Sequence, residues 1–443
     1  MKISSILGLN ARTQLYAYKY NTKRGKRIAD SKIQTSRVLI KAGIPYPAII
    51  KIFRNPEEVL NFNWESLPEK FALKPSRGLG GEGIIVVKKK SADGKGWFTT
   101  QKEKVKSGDL KLHTLDILEG AFSMGNEPDV AFIQEYVGRA EAFRKWAYRG
   151  TPDVRVIVFN KVPVMAMLRL PTKESGGRAN LHQGAMGVGI DIATGITTRA
   201  IWHGEQIVFK PGTEKALRGI KIPDWDDVLT TAVQASIASG LGYAGIDIVI
   251  HPEKGPMVLE MNAQPGLQIQ LANMEGLRRR LDRIDDLEVS DAEHGVRIAQ
   301  TLFAGRFIDT KAIEEGVKKI SVWEEIKVIG GGDKSKKVWA KVDTGAWRSS
   351  IDKDLADSLG LLSKENILWT RKIRTSIGRE EREVINLDFV LAGRKINTLA
   401  SISSRSHLRV PIIIGRRDLA GFLVSTNYSD KPTTWVPPMW NGI

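Results

Sequence analysis

The chain has 443 residues, 67 Lys and Arg against 50 Asp and Glu, a formal net charge of +17 at pH 7, 42% hydrophobic residues and no cysteine. That apolar content excludes a disordered chain, and at roughly 100 to 200 residues per domain the length predicts two or three globular domains with their own cores. The missing cysteines exclude disulfides, thiolate zinc sites, iron–sulfur clusters and cysteine nucleophiles, and no run approaches the ~18 apolar residues of a membrane-spanning helix.

The first ten residues carry one lysine and a broken apolar run without a small-residue cleavage site, so no signal peptide is expected and the chain is placed in the cytoplasm. Lys19, Lys23, Arg24, Lys26, Arg27, Lys32, Arg37 and Lys41 follow, opposed mainly by Asp30. Charge alone does not choose among nucleic acid, an anionic membrane surface and acidic small molecules such as ATP and carboxylates. No RNA-binding aromatic signature, helix-turn-helix pattern or Cys/His finger accompanies these cations, so neither nucleic acid nor membrane is expected as a partner.

In chain order, Ile33, Val38, Leu39 and Ile40 suit a helix from Ala29 to Gly43, where Pro45 and Pro47 enforce an extended link. Residues 71–75 read as a strand, Gly78, Gly80, Gly81 and Gly83 as a flexible turn, and residues 84–87 as a second strand. Further strands are predicted at 131–133, 154–159, 164–169, 245–250 and 257–261, with a helix from Trp225 to Ser239. A charged, helical stretch is expected from Asp291 to Val322. Beyond it the texture changes to short alternating strands around Val338, Ala340 and Val342, which puts a domain boundary near residue 320, giving domains 1–320 and 321–443. Six tryptophans in the last quarter (323, 339, 347, 369, 435 and 440) are read as core packing.

A glycine loop between strands can lay backbone N–H groups on phosphate oxygens, because missing side chains permit close approach. These glycines do not fit the strand-to-helix Gly-x-x-x-x-Gly-Lys-Ser/Thr loop, so a flap over phosphates is the reading rather than a Walker-type site. Lys74 precedes the loop, and Lys32 follows Asp30. Each is either a surface lysine or a point charge for phosphate. Downstream, Asp247 interrupts one apolar strand, and Glu260 and Asn262 share one face of the next by period-two alternation. Three oxygen donors on adjacent strands suit Mg²⁺, with buried ion pairing as the competing account.

These motifs, with Leu9-Asn10-Ala11-Arg12, Asp30-Ser31-Lys32, Leu73-Lys74-Pro75, Pro152-Asp153-Val154-Arg155-Val156, Met165 to Pro171, Ala179 to Ala185 and Leu259 to Gly266, resemble the ATP-grasp superfamily, specifically its alpha-L-glutamate ligase-like branch, over about residues 1–280. The resemblance implies two α+β lobes gripping ATP, with Lys32 and Lys74 as nucleotide lysines, Gly78, Gly80, Gly81 and Gly83 as phosphate lid, and Glu135 and Val137 at a hinge meeting the adenine. It implies Mg²⁺ on Asp247, Glu260 and Asn262, and it places Arg169, Arg178 and Asn180 near the acyl-phosphate and the acceptor, with His182 beside them. The implied reaction is ATP-dependent joining of a carboxylate and an amine, on amino acid or peptide substrates.

In the last quarter, Asp343-Thr344-Gly345 follows an alternating strand, and Val410 to Arg416 forms an apolar run ending in Gly415. Together these resemble the all-β barrel of retropepsin-like aspartic proteases, as in the family labelled ATP-dependent zinc proteases, across about 322–437. Zinc finds no support, since no His-Glu-x-x-His occurs. Aspartic proteolysis needs two carboxylates, so one Asp-Thr-Gly implies a homodimer pairing two copies of Asp343. The alternative whole-protein reading is a peptidase or peptide-binding protein regulated by a nucleotide-binding ATP-grasp domain.

Overall fold

The computed structural model describes residues 5–78, 80–303, 318–332, 334–375, 378–404 and 410–425. Leu79 of the glycine loop, residues 304–317 of the charged stretch, His407, Trp435 and Trp440 lie outside the described residues. The chain divides into two compact units, one ending at Asp286 with Asp291–Val296 added, the other running from Arg297 with Leu287–Ser290 added.

In the first unit, β1 (Ile49–Phe53), β2 (Phe71–Pro75), β3 (Ile85–Lys90), β4 (Trp97–Thr99), β5 (Lys104–Val105) and β6 (Ala131–Glu135) form a sheet in the order β1-β6-β2-β3-β4-β5. Phe53, Trp64, Phe71, Leu73 and Trp97 fill its core, with Phe53 stacked on Trp64 at 5.3 Å between ring centroids. The glycine loop joins the antiparallel pair β2 and β3.

Seven more strands make the second sheet: β7 (Asp153–Phe159), β8 (Val162–Leu170), β9 (Met186–Ile190), β10 (Thr197–Trp202), β11 (Glu205–Ile207), β12 (Tyr243–His251) and β13 (Gly255–Asn262), ordered β11-β10-β9-β8-β7-β12-β13. The helix Trp225–Ser239 packs on β7, β8, β12 and β13 through Val228, Leu229, Ala232 and Val233. Because side chains alternate along a strand, covering one face with this helix leaves the other face of the same strands for polar residues.

Two helix expectations are corrected. The helix predicted from Ala29 to Gly43 is observed as Lys32–Lys41, preceded by a separate helix Lys23–Ala29, because the extended Ser31 caps it, the hydroxyl accepting from the Gln34 N–H at 3.4 Å. The charged stretch is helical only over Ala292–Leu302 among the described residues, and Lys318–Ile320 is a strand.

The second unit holds β14 (Lys318–Ile320), β15 (Trp323–Ile329), β16 (Ser335–Asp343), β17 (Ser349–Asp352), β18 (Ile367–Thr375), β19 (Gly378–Leu391), β20 (Arg394–Ser403), β21 (Ile412–Gly415) and β22 (Phe422–Val424). Six of them close a barrel, β15-β16-β21-β17-β20-β19, with β19 pairing back onto β15 through Val328 and Phe389. Closure removes the open edges that invite aggregation. Val338, Ala340 and Val342 all point inward with Ile326, Ile351, Leu387, Phe389 and Ile414, which explains the alternation read in the sequence. The tryptophan reading is corrected: of those described in this unit only Trp369 is buried, while Trp347 is 51% exposed and stacks on the Arg416 guanidinium at 5.1 Å.

Phe389 is fully buried at the closing seam. Phe389→Ala is expected to destabilise the barrel by about 3–5 kcal/mol, read as a shifted urea midpoint for the transition that carries Trp369 fluorescence.

Candidate active site

The site is a stripe of charge across four neighbouring strands. On β7, Asp153 and Arg155 share a face, two residues apart. Register places Asp153 opposite Arg169 of β8, and Arg155 opposite Asp247 of β12; Asp247 in turn faces Glu260 of β13, with Asn262 opposite Gly245. Period-two alternation therefore lines all six side chains up on the face away from the Trp225–Ser239 helix.

Side-chain geometry turns the stripe into a network. Arg155 forks onto Asp247 with Nε–Oδ1 and Nη2–Oδ2 both at 2.7 Å. Arg169 forks onto Asp153 at 2.5 and 2.7 Å and shares its Nη2 with Asp247 Oδ2 at 2.7 Å. Such bidentate pairs are strong and geometrically specific. The Asp247 side chain is 1% exposed and Asp153 5%, so each carboxylate needs its guanidinium to remain folded in place. Burial and the neighbouring Asp247 charge push the Asp153 carboxyl up to about 6, against the pull of Arg169. For Asp247, burial is outweighed by Arg155 and Arg169, which hold it below the usual carboxylate range.

At the other end, Lys32 donates to the Gly78 carbonyl at 3.0 Å and lies 3.4 Å from Glu260. Lys74 donates to Gln134 Oε1 at 2.7 Å. Burial, then the nearby Lys32 charge, lowers the Lys74 amine to about 8. Gly80, Gly81 and Gly83 adopt positive φ, which lets the loop turn without side-chain strain. The segment after β8 lies against this loop: Asn180 Nδ2 donates to the Gly80 carbonyl at 3.4 Å, and a Cβ on Gly81 would stand 3.6 Å from Arg178 Cδ. His182 is exposed, its N–H bonded to Asn180 Oδ1. Glu135 ends β6, bonded to Lys254 and to the Ala48 N–H, while the Val137 carbonyl accepts from Thr151 Oγ1 at 3.0 Å.

Thus side-chain bonds join Asn262, Asp247 and Arg169 in one network and Lys32 with Glu260 in a second, the two adjoining where Asp247 faces Glu260 in register, while Gly80, Gly81, Arg178 and Asn180 come together in a third group. Asp343 lies in the second unit, in a turn where its Oδ1 accepts from the N–H groups of Gly345 (2.9 Å) and Ala346 (3.1 Å). Arg155, Asp153 and Gln134 are the residues that sequence reasoning gave no role; the Asp-x-Arg alternation inside an apolar strand was the available signal.

Residues 11–286 match the sugar-transfer associated ATP-grasp family, well over half of the chain. The chain belongs to that family. Curated relatives of this ATP-grasp chain include a probable alpha-L-glutamate ligase of Xanthomonas euvesicatoria pv. vesicatoria (strain 85-10), 24% identical over 237 residues that make up 54% of this chain and 57% of the relative. The chain thus spans a little over half the length of the curated relatives it matches. Solved structures similar to it include the ATP-grasp ligase PsnB complexed with minimal precursor (20% identity, TM-score 0.31, 60% of this chain and 62% of that one). D-alanine–D-alanine ligase from Bacillus anthracis, complexed with ATP, is another (16% identity, TM-score 0.34, 63% and 70%).

The family uses ATP with Mg²⁺, and the donor set of this ATP-grasp unit fits both. The Glu260 side chain is 38% exposed, with Lys32 as its one ion-pair partner among the described residues. Asn262 turns its amide Nδ2 toward Asp247 at 3.4 Å, which leaves its carbonyl oxygen to other partners. Among the described residues Asp247 Oδ1 accepts only the Arg155 Nε, so one of its lone pairs is uncommitted there. These three oxygens are hard donors suited to Mg²⁺.

Removing one partner of a buried pair leaves an uncompensated charge. Arg169→Ala is expected to cost about 3–5 kcal/mol of stability, measured by chemical denaturation, whereas the exposed Arg144→Ala control is expected to change it by less than about 0.5 kcal/mol.

Proposed function

We propose that the ATP-grasp unit is a carboxylate–amine ligase that activates a carboxylate as an acyl-phosphate and joins it to an amine, on amino acid or peptide substrates. The observation that carries this reading is the stripe itself, in which cations and oxygen donors meet on one sheet face under a glycine loop. The relatives named as alpha-L-glutamate ligases support the same class.

In this reading Lys32 and Lys74 bind phosphate oxygens, and the N–H groups of Gly80, Gly81 and Gly83 cover them from above. Glu260, Asn262 and Asp247 Oδ1 hold the cation. When bound, ATP with Mg²⁺ supplies the phosphoryl group and offsets its charge. Arg169, fixed by Asp153, donates to the oxyanion that develops as carboxylate oxygen meets phosphorus. Arg178, Asn180 and His182 would meet the acceptor amine, and the contacts of Asn180 with Gly80 and of Arg178 with Gly81 would tie acceptor binding to the loop that excludes water.

The deciding experiment is phosphate release from ATP and Mg²⁺ across a panel of amino acids and short peptides. Release that depends on substrate, and that falls by on the order of a hundredfold or more in Glu260→Ala, is the expected result. No release with any pair would overturn the reading in favour of a regulated binding or peptidase protein.

Lys74 adds a pH signature. Its amine carries charge below about 8 and loses it above, so affinity for a non-hydrolysable ATP analogue is expected to be highest below that value and to fall as pH rises through it. Lys74→Met is expected to weaken binding and abolish this step, read by calorimetry over the same pH range.

For the barrel we propose a retropepsin-like peptide-binding role, because Asp343 is held by backbone N–H groups in an Asp-Thr-Gly turn whose strand pairs with Gly415. Peptide hydrolysis there would need Asp343 of a second copy. Cleavage of a peptide library by the wild type but not by Asp343→Asn, together with dimers in sedimentation, is the outcome that would establish it.

A further inference from the structure

Arg155 and Arg169 each spend only part of their guanidinium on the protein. Arg155 commits Nε and Nη2 to Asp247, and Arg169 commits Nε and Nη2 to Asp153 and Asp247. Among the described residues neither Nη1 donates to a protein acceptor, although the side chains are only 13% and 12% exposed. Neither Nη1 is among the buried polar atoms left without a partner, so each keeps some solvent access. The exposed Gly266 lies beside Arg155 Nη1: a Cβ built there would stand at ordinary contact distance, 3.9 Å, from that nitrogen.

The two forks are tied side by side by one carboxylate oxygen, since Asp247 Oδ2 accepts from both Nη2 atoms at 2.7 Å. Their planes cannot turn away without breaking bonds to buried carboxylates. Two preorganised guanidinium groups with free N–H on adjacent strands match an anion that has several oxygens, whether carboxylate or phosphoryl.

We propose that Arg155 is a second anion-binding guanidinium of this site, acting with Arg169 as a clamp on the reacting oxyanion, and that Asp153 and Asp247 are positioning residues that hold the two forks together. The inference rests on the ligase reading for the identity of the anion but not for its binding. It assigns Asp247 two duties: both of its oxygens hold Arg155, Oδ2 also holds Arg169, and the remaining lone pair of Oδ1 would be left for the cation.

The test is binding of inorganic phosphate to the full chain, followed by calorimetry and by ³¹P line broadening, with no turnover required. Saturable binding is expected in the wild type, weakened about 10- to 100-fold in Arg155→Met, as for loss of a charge-assisted bond, and weakened less in Arg155→Lys, which keeps the charge without the fork. Circular dichroism and the thermal midpoint report whether each variant is folded. If Arg155→Met does not fold, the Lys variant carries the test. Wild-type phosphate affinity in a folded Arg155→Lys and Arg155→Met, or no saturable binding in the wild type, would overturn the clamp. Repeating the titration with the site saturated by ADP or by a non-hydrolysable triphosphate separates the two sources of the oxyanion. Binding blocked only by the triphosphate assigns the clamp to the transferring phosphoryl group, and binding that survives both assigns it to the donor carboxylate. Failure of the ligase reading would appear instead as intact phosphate binding with no substrate-dependent ATP turnover.

Discussion

The site depends on one carboxylate, Asp247, buried on β12 of the second sheet and shared by two arginines. A carboxylate in that position is costly unless it is paired and hydrogen-bonded. The strand register solves the problem by bringing Arg155 from one neighbouring strand and Arg169 from the next. The same bonds that make the burial tolerable also fix the guanidinium planes. Stability and orientation at this site are therefore one interaction, and a change that loosens either arginine disturbs both.

Much of this unit was legible in the sequence because its elements are locally encoded. The strands 71–75, 131–133, 154–159, 164–169, 245–250 and 257–261 all fall within observed strands, since apolar runs bounded by Gly, Pro and Asn have few alternatives. The shared face of Glu260 and Asn262 follows from alternation alone. The Arg155–Asp247 pair did not emerge, because its partners are 92 residues apart and meet only through the register of β7 with β12. Even Asp153 and Arg169, 16 residues apart, are joined by a hairpin whose bulge between Ile157 and Val158 sets which residues face each other. No local pattern contains that offset.

The later start of the helix has a local origin instead. Asp30-Ser31 lies inside an amphipathic stretch that reads as continuous, yet the Ser31 hydroxyl competes for the backbone and restarts the helix at Lys32. That restart matters for the site. It places Lys32 in the first turn, where its backbone N–H bonds the Ser76 carbonyl at 3.1 Å and its amine reaches Gly78 and Glu260. A helix running unbroken from Ala29 would carry no cap at this point and would not fix that turn against the start of the glycine loop.

The balance of charge along the stripe carries a chemical consequence. Arg155 and Arg169 against Asp153 and Asp247 sum to no net charge, so they add little to the long-range attraction of anions. Their contribution is directional: N–H bonds at fixed positions, strong for an oxyanion that fits and weak for one displaced by an ångström. Net positive charge is supplied instead by Lys32 and Lys74, and Lys74 is itself tempered by burial and by Lys32. Under the proposed ligase reading, separating attraction from orientation in this way would keep the site from holding phosphate so tightly that release becomes slow, while still presenting ordered donors at the point where charge develops. In a site built from unpaired arginines these two properties would rise together. Pairing each guanidinium with a buried carboxylate uncouples them, which gives the carboxylates a reason to be present beyond their own solvation.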